Sequence, residues 1–75
     1  MTLRLPRISG RDAVKAFSKI GYRAIRQRGS HIRLVHTDSK RIPLMIPDHA
    51  ELSVGLLRRI LRDADLSLDE FQHLL

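Results

Sequence analysis

Gln27-Arg28-Gly29-Ser30-His31 is the stretch of this sequence best equipped for chemistry. An imidazole takes and returns a proton near neutral pH, and guanidinium groups hold phosphate oxygens through paired N–H donors. A serine hydroxyl and turn N–H groups can donate to the same oxygens. Arg26 precedes the stretch and Arg33 follows His31 by two residues. A solvent-side histidine among arginines suits metal-free RNA cleavage: the imidazole removes the 2′-OH proton while the arginines hold and neutralise the scissile phosphate. His31 is therefore the candidate catalytic residue. Gly29 would let a second molecule approach the backbone closely.

The charge of the whole chain points the same way. Fourteen Lys and Arg stand against eight Asp and Glu in 75 residues, a net +6, and eleven of the fourteen cations are Arg. Arg23, Arg26, Arg28, Arg33, Lys40 and Arg41 cluster mid-chain. This implies a polyanion partner, with nucleic acid favoured. The candidate RNA contacts are Arg26, Arg28, Gly29, Ser30, Arg33, Lys40 and Arg41. Phe17, Tyr22 and Phe71 are the only aromatic residues, and helical spacing assigns both Phe to the core, so an aromatic base-stacking platform is not supported.

The other titratable residues offer less. His31 and His36, five apart on a strand, point to opposite faces and cannot easily share a metal. His36 reads as a structural partner. His49 lies in a loop from which it could reach the sheet, and His73 reads as solvated. Asp48 and Glu51 read as loop carboxylates, and Arg58, Arg59 and Arg62 as a basic helix side facing solvent or phosphate. No metal-ligand spacing emerges, and no metal, other cofactor or small-molecule ligand is expected. The absence of cysteine excludes a disulfide scaffold and a thiolate zinc site. No apolar run approaches the ~20 residues of a membrane span, and Met1 to Pro6 lacks the apolar stretch of an export signal. A cytoplasmic protein is expected.

These residues must be held by a small scaffold, one domain over residues 1–75. Ser9 reads as a helix N-cap supported by Asp12, and Ala13, Val14, Ala16, Phe17 and Ile20 recur at helical spacing up to Gly21. That predicts a helix over 9–20. Tyr22 to Gln27 alternates, with Tyr22, Ala24 and Arg26 on one side. Arg28-Gly29-Ser30 is a turn, and His31 to His36 a second strand with Ile32 and Leu34 opposite His31, Arg33 and Val35. Ile42, Leu44 and Ile46 share one face of a third strand containing Pro43, which suggests a sheet edge. Ser53 caps a second long helix carrying Leu56, Leu57, Ile60, Leu61 and Ala64, and Ser67 caps a short last one with Phe71. The expectation is an α+β two-layer sandwich, helix, three-stranded antiparallel sheet, helix and a short C-terminal helix, with one sheet face open.

Several stretches resemble the HicA (YcfA-like) toxin family. They are Ile8-Ser9-Gly10-Arg11, Ile20-Gly21-Tyr22, Arg26 to His31, Leu56 to Leu61, and Ala64-Asp65-Leu66-Ser67. The resemblance covers about residues 5–75. It implies a double-stranded-RNA-binding-domain-like α-β-β-β-α fold and an mRNA interferase that cleaves RNA without a metal. The histidine of the Gly-Ser-His turn, His31 here, would be catalytic, and a HicB-type antitoxin would cover it. The alternatives are a non-catalytic double-stranded-RNA-binding-like module and a protein-interaction subunit with an acidic partner. The chain departs from the family pattern in three places. Leu56 replaces the usual Thr early in the second helix, Asp65 replaces a Gly, and Asp48 and Glu51 bring acid to a commonly basic, glycine-containing loop.

Overall fold

Ser9 and Asp12 cap the first helix reciprocally. The Ser9 hydroxyl accepts from the Asp12 N–H at 3.0 Å, and the Asp12 carboxylate accepts from the Ser9 N–H at 3.3 Å. Two otherwise orphaned N–H groups are thereby satisfied, and α1 runs Gly10–Ser18. The computed structural model describes residues 7–75. Met1 to Pro6, the stretch read for an export signal, lies outside the described residues. The helix ends two residues earlier than its apolar spacing predicts, because Gly21 turns the chain at φ +103 directly into the first strand.

The remaining elements are β1 (Tyr22–Arg28), β2 (His31–His36), β3 (Leu44–Pro47), α2 (Val54–Asp63) and α3 (Leu68–Gln72). The strands form one antiparallel sheet in the order β1-β2-β3. This is the expected α-β-β-β-α order with a short third helix. Tyr22, Ile32, Leu34, Leu44 and Ile46 bury one sheet face beneath α1 and α2. Phe17 of α1 sits at the centre, 5.2 Å from Phe71 and 5.9 Å from Tyr22, measured between ring centroids. Truncating a buried Phe to Ala generally costs about 3–5 kcal/mol, a large part of what holds so small a domain together. Among the described residues no helix packs on the opposite sheet face.

Two strand expectations need correction. Ile42 and Pro43 lie outside β3, and Ile42 is 51 % exposed rather than core. The Ile42 carbonyl instead accepts the Tyr22 hydroxyl at 3.0 Å, and burial pushes that phenol's pKa up. β3 is nonetheless an edge strand. In β1 the alternation breaks at Ile25, where a bulge separates the pairs Ala24–Leu34 and Arg26–Arg33. A bulge inserts one unpaired residue, so every later residue of the strand faces the opposite way. Arg26 therefore leaves the side of Tyr22 and Ala24.

The end of α2 is a Schellman motif. The Leu66 N–H donates to the Leu61 carbonyl and the Asp65 N–H to the Arg62 carbonyl. Asp65 takes the left-handed conformation at φ 55 that this motif demands and glycine usually supplies. The Arg41 guanidinium reaches across to the Ala64 carbonyl at 2.8 Å. No helix among the described residues is long and apolar enough to cross a membrane.

Candidate functional site

The β1–β2 connection is a two-residue loop, Gly29-Ser30, between the paired residues Arg28 and His31. Only its first residue has positive φ, +54 at Gly29, as a type II′ hairpin turn requires. The turn delivers Arg28 and His31 to the open sheet face as direct neighbours. The bulge then places Arg26 opposite Arg33 on that same face. On the far side of β2, Arg33 faces Met45 and His31 faces Pro47. Arg26, Arg28, His31, Arg33 and Met45 line one hollow of about 300 Å³.

This hollow is positively charged without internal compensation. The ion pairs among the described residues are Arg7–Glu51, Arg11–Asp48 and His73–Asp69, and none uses an arginine of this face. Like charges directly opposite each other on a sheet are destabilising. Arg26 and Arg33 stand opposite each other with no acidic partner among the described residues. Ser30, in the turn between Arg28 and His31, is exposed.

His31 also lines a second cleft of about 430 Å³ on its other side. There β3 supplies Met45 and Pro47, the loop after it His49, and α2 Arg59 and Asp63. His31 thus forms a wall common to both hollows.

Lys40 and Arg41 are not brought to His31. They lie at the β2–β3 connection, with Asp38, Ile42, Asp63 and Asp65 around a separate depression. Five residues of β2 separate this end from His31, about 17 Å at strand rise. Arg41 is moreover engaged with Ala64.

Asp48 is a structural residue, although its loop position reads as that of a solvated carboxylate. Arg11 donates to both of its oxygens, Nε to Oδ1 at 3.0 Å and Nη2 to Oδ2 at 3.1 Å. The Gln27 amide donates to Asp48 Oδ2 at 3.3 Å and to the Gly29 carbonyl at 3.0 Å. The Asp48 N–H donates to the Ser30 carbonyl. The start of α1, the Gly29-Ser30 turn and the end of β3 are thereby tied at one carboxylate. The Arg11 hydrogen bonds hold the Asp48 pKa below the ordinary carboxylate value, with Gln27 assisting. Gly10 completes the clamp: its N–H donates to the His49 carbonyl at 2.9 Å, and a Cβ there would run into the Pro47 carbonyl. Asp48 therefore does not oppose the basic face with a free charge. Glu51 pairs with Arg7 at 3.7 Å.

His36 is the structural partner its strand position suggests. Its Nδ1 accepts from the Asp38 N–H at 2.8 Å, so Nε2 carries the hydrogen donated to the Ile20 carbonyl at 2.6 Å. That pattern requires the neutral ring, which stands edge-on to Tyr22. His73 is exposed and bonds the Asp69 carbonyl. Among the described residues no group of three or more His, Asp or Glu could hold a metal ion.

The family model for the HicA toxin of bacterial toxin–antitoxin systems matches residues 10–66. That span runs from the first residue of α1 to the Schellman turn after α2, and includes the whole sheet. No curated protein is a significant match.

Proposed function

The chain belongs to the HicA toxin family, so it is a toxin of a toxin–antitoxin system with an antitoxin as partner, and from that premise we propose that it is an mRNA interferase. RNA lies across the open sheet face. His31 takes the 2′-OH proton of the nucleotide before the cut, and the 2′-oxygen attacks phosphorus. Arg26, Arg28 and Arg33 hold the phosphate and offset the charge that develops on its oxygens. The Ser30 hydroxyl at the turn, opened by Gly29, donates to the same group. The products are a 2′,3′-cyclic phosphate and a 5′-hydroxyl, and loss of intact message arrests translation in the cytoplasm.

The observation that carries this reading is the pairing of His31 with Arg28 on an uncovered face where Arg26 meets Arg33 unneutralised. Lys40 and Arg41 would meet RNA only at a neighbouring stretch of backbone. The antitoxin, of HicB type in this reading, would inhibit by covering the same charged face with acidic or apolar groups.

The test uses EDTA-treated protein with an RNA and its all-deoxy analogue. A nuclease that uses the 2′-OH cuts the RNA and leaves the deoxy strand intact. A binding module of the double-stranded-RNA-binding type cuts neither, and that outcome would overturn the proposal.

A further inference from the structure

We propose that His49 is the second acid–base group of the cleavage reaction, the one that protonates the 5′-oxygen as it leaves; this rests on the proposed role of His31 as the base. A 2′-OH attack needs a base at the nucleophile and an acid at the leaving group. The two stand on opposite sides of phosphorus in an in-line displacement, so one imidazole cannot serve both positions at the same instant.

Four histidines are present, and their ring partners sort them. His36 spends both nitrogens within the fold, and His73 bonds the Asp69 carbonyl. His31 and His49 make no ring hydrogen bond among the described residues, and both are exposed. Both residues line the same cleft of about 430 Å³, one from β2 and the other from the loop after β3. That volume accommodates a nucleotide-sized group. On its other side His31 adjoins the arginine hollow. A phosphate at His31 would therefore have Arg26, Arg28 and Arg33 on one hand and His49 on the other.

The backbone of His49 is fixed although its ring is free. Its carbonyl accepts the Gly10 N–H, and the preceding Asp48 is clamped by Arg11 and Gln27. The other charged groups lining the cleft are Arg59 and Asp63, both from α2. Arg59 can neutralise a phosphate oxygen there, and Asp48, which precedes His49 in the chain, is held by Arg11 from α1.

In the balanced step the 2′-O–H bond breaks and its proton passes to the neutral His31 ring. The 2′-oxygen forms a bond to phosphorus, the bond from phosphorus to the 5′-oxygen breaks, and the protonated His49 ring gives its proton to that oxygen. His31 ends protonated and His49 neutral, and exchange with water restores both.

The experiment compares two oligoribonucleotides at a mapped cleavage position, one with the natural 5′-oxygen and one with a 5′-bridging sulfur. Sulfur leaves as a thiolate without needing a proton. His49→Ala and His49→Gln should cut the oxygen substrate about 100-fold or more slowly than wild type. Both should cut the sulfur substrate within a few-fold of wild type and lose the alkaline limb of the pH–rate profile. His31→Ala should fail on both substrates. Equal losses on the two substrates, or an undiminished rate on oxygen, would overturn the role of His49. A His31→Ala variant that cuts the oxygen substrate at the wild-type rate would instead overturn the assignment of His31.

Discussion

Arg26 faces Arg33 across the first strand pair, one residue out of the register set by Ala24 and Leu34. Continued alternation would have placed Arg26 opposite Ile32, on the side covered by the helices. The bulge at Ile25 moves it to the open face and carries Arg28 to the side of His31. Two guanidinium groups directly opposed cost stability in the free protein. Such local conflicts are characteristic of functional sites, where a ligand supplies the missing charge.

Arg26→Gln is accordingly expected to stabilise the free domain by about 0.2–1 kcal/mol while weakening RNA binding. Urea unfolding reads the first effect. Binding titrations across salt concentrations read the second, where the log–log slope should shrink by about 0.7 for one lost single-strand phosphate contact. A variant that loses both stability and RNA affinity would argue that Arg26 is structural.

Asp65 holds a left-handed backbone at φ 55 in the Schellman turn, and its carboxylate adjoins the negative end of the α2 dipole. Asp65→Gly removes both costs. The expected gain is about 1 kcal/mol, or about 4–8 °C in Tm for a domain of this size, with RNA cleavage unchanged.

Gly10→Ala should behave in the opposite way, because the added methyl meets the Pro47 backbone rather than a yielding side chain. A destabilisation of about 1–3 kcal/mol is expected, and RNA cleavage should fall as the Pro47–His49 segment moves away from His31. Gly55→Ala is the matched control. Its Cβ enters open space on α2, and helix propensity predicts a gain of about 0.5–1 kcal/mol.

The Asp48 clamp makes a prediction in acid. Its carboxyl is held below the ordinary range by Arg11. The stability it adds is therefore complete above that range and lost as pH falls through the depressed folded-state value. Wild type should exceed Asp48→Asn in stability near neutral pH, and the gap should close towards about pH 2. Urea midpoints of both proteins at several pH values check this. A gap that persists unchanged in acid would show that the carboxylate charge is not what ties the turn to α1.

Features held by short-range contacts are legible in the residues alone, and those held by distant contacts are not. Ser9 with Asp12 and Ser67 with Glu70 are contacts three residues apart, and both caps formed where their spacing indicates. Gly29-Ser30 is a two-residue hairpin turn, so the position of His31 beside Arg28 is also locally encoded. The bulge is not, because Ile25 differs from an ordinary strand residue only in what β2 offers opposite it. Ile42 looks like core by alternation, but β3 begins only after Pro43. The juxtaposition of His49 with His31 depends on α1 closing against Pro47 through Gly10, a contact between segments far apart in sequence. Asp48 reads as a loose acid until Arg11, 37 residues away, is folded against it.

The His31 ring forms no hydrogen bond among the described residues and the residue is exposed, so the ring can be removed without disturbing the fold. The most direct measurement is RNA cleavage by His31→Ala, with circular dichroism and RNA retention recorded on the same sample. The expected result is a folded protein that still binds RNA, cuts it at least about 100-fold more slowly, and no longer arrests growth when expressed. A folded alanine variant that cleaves RNA as fast as wild type would contradict the role assigned to His31.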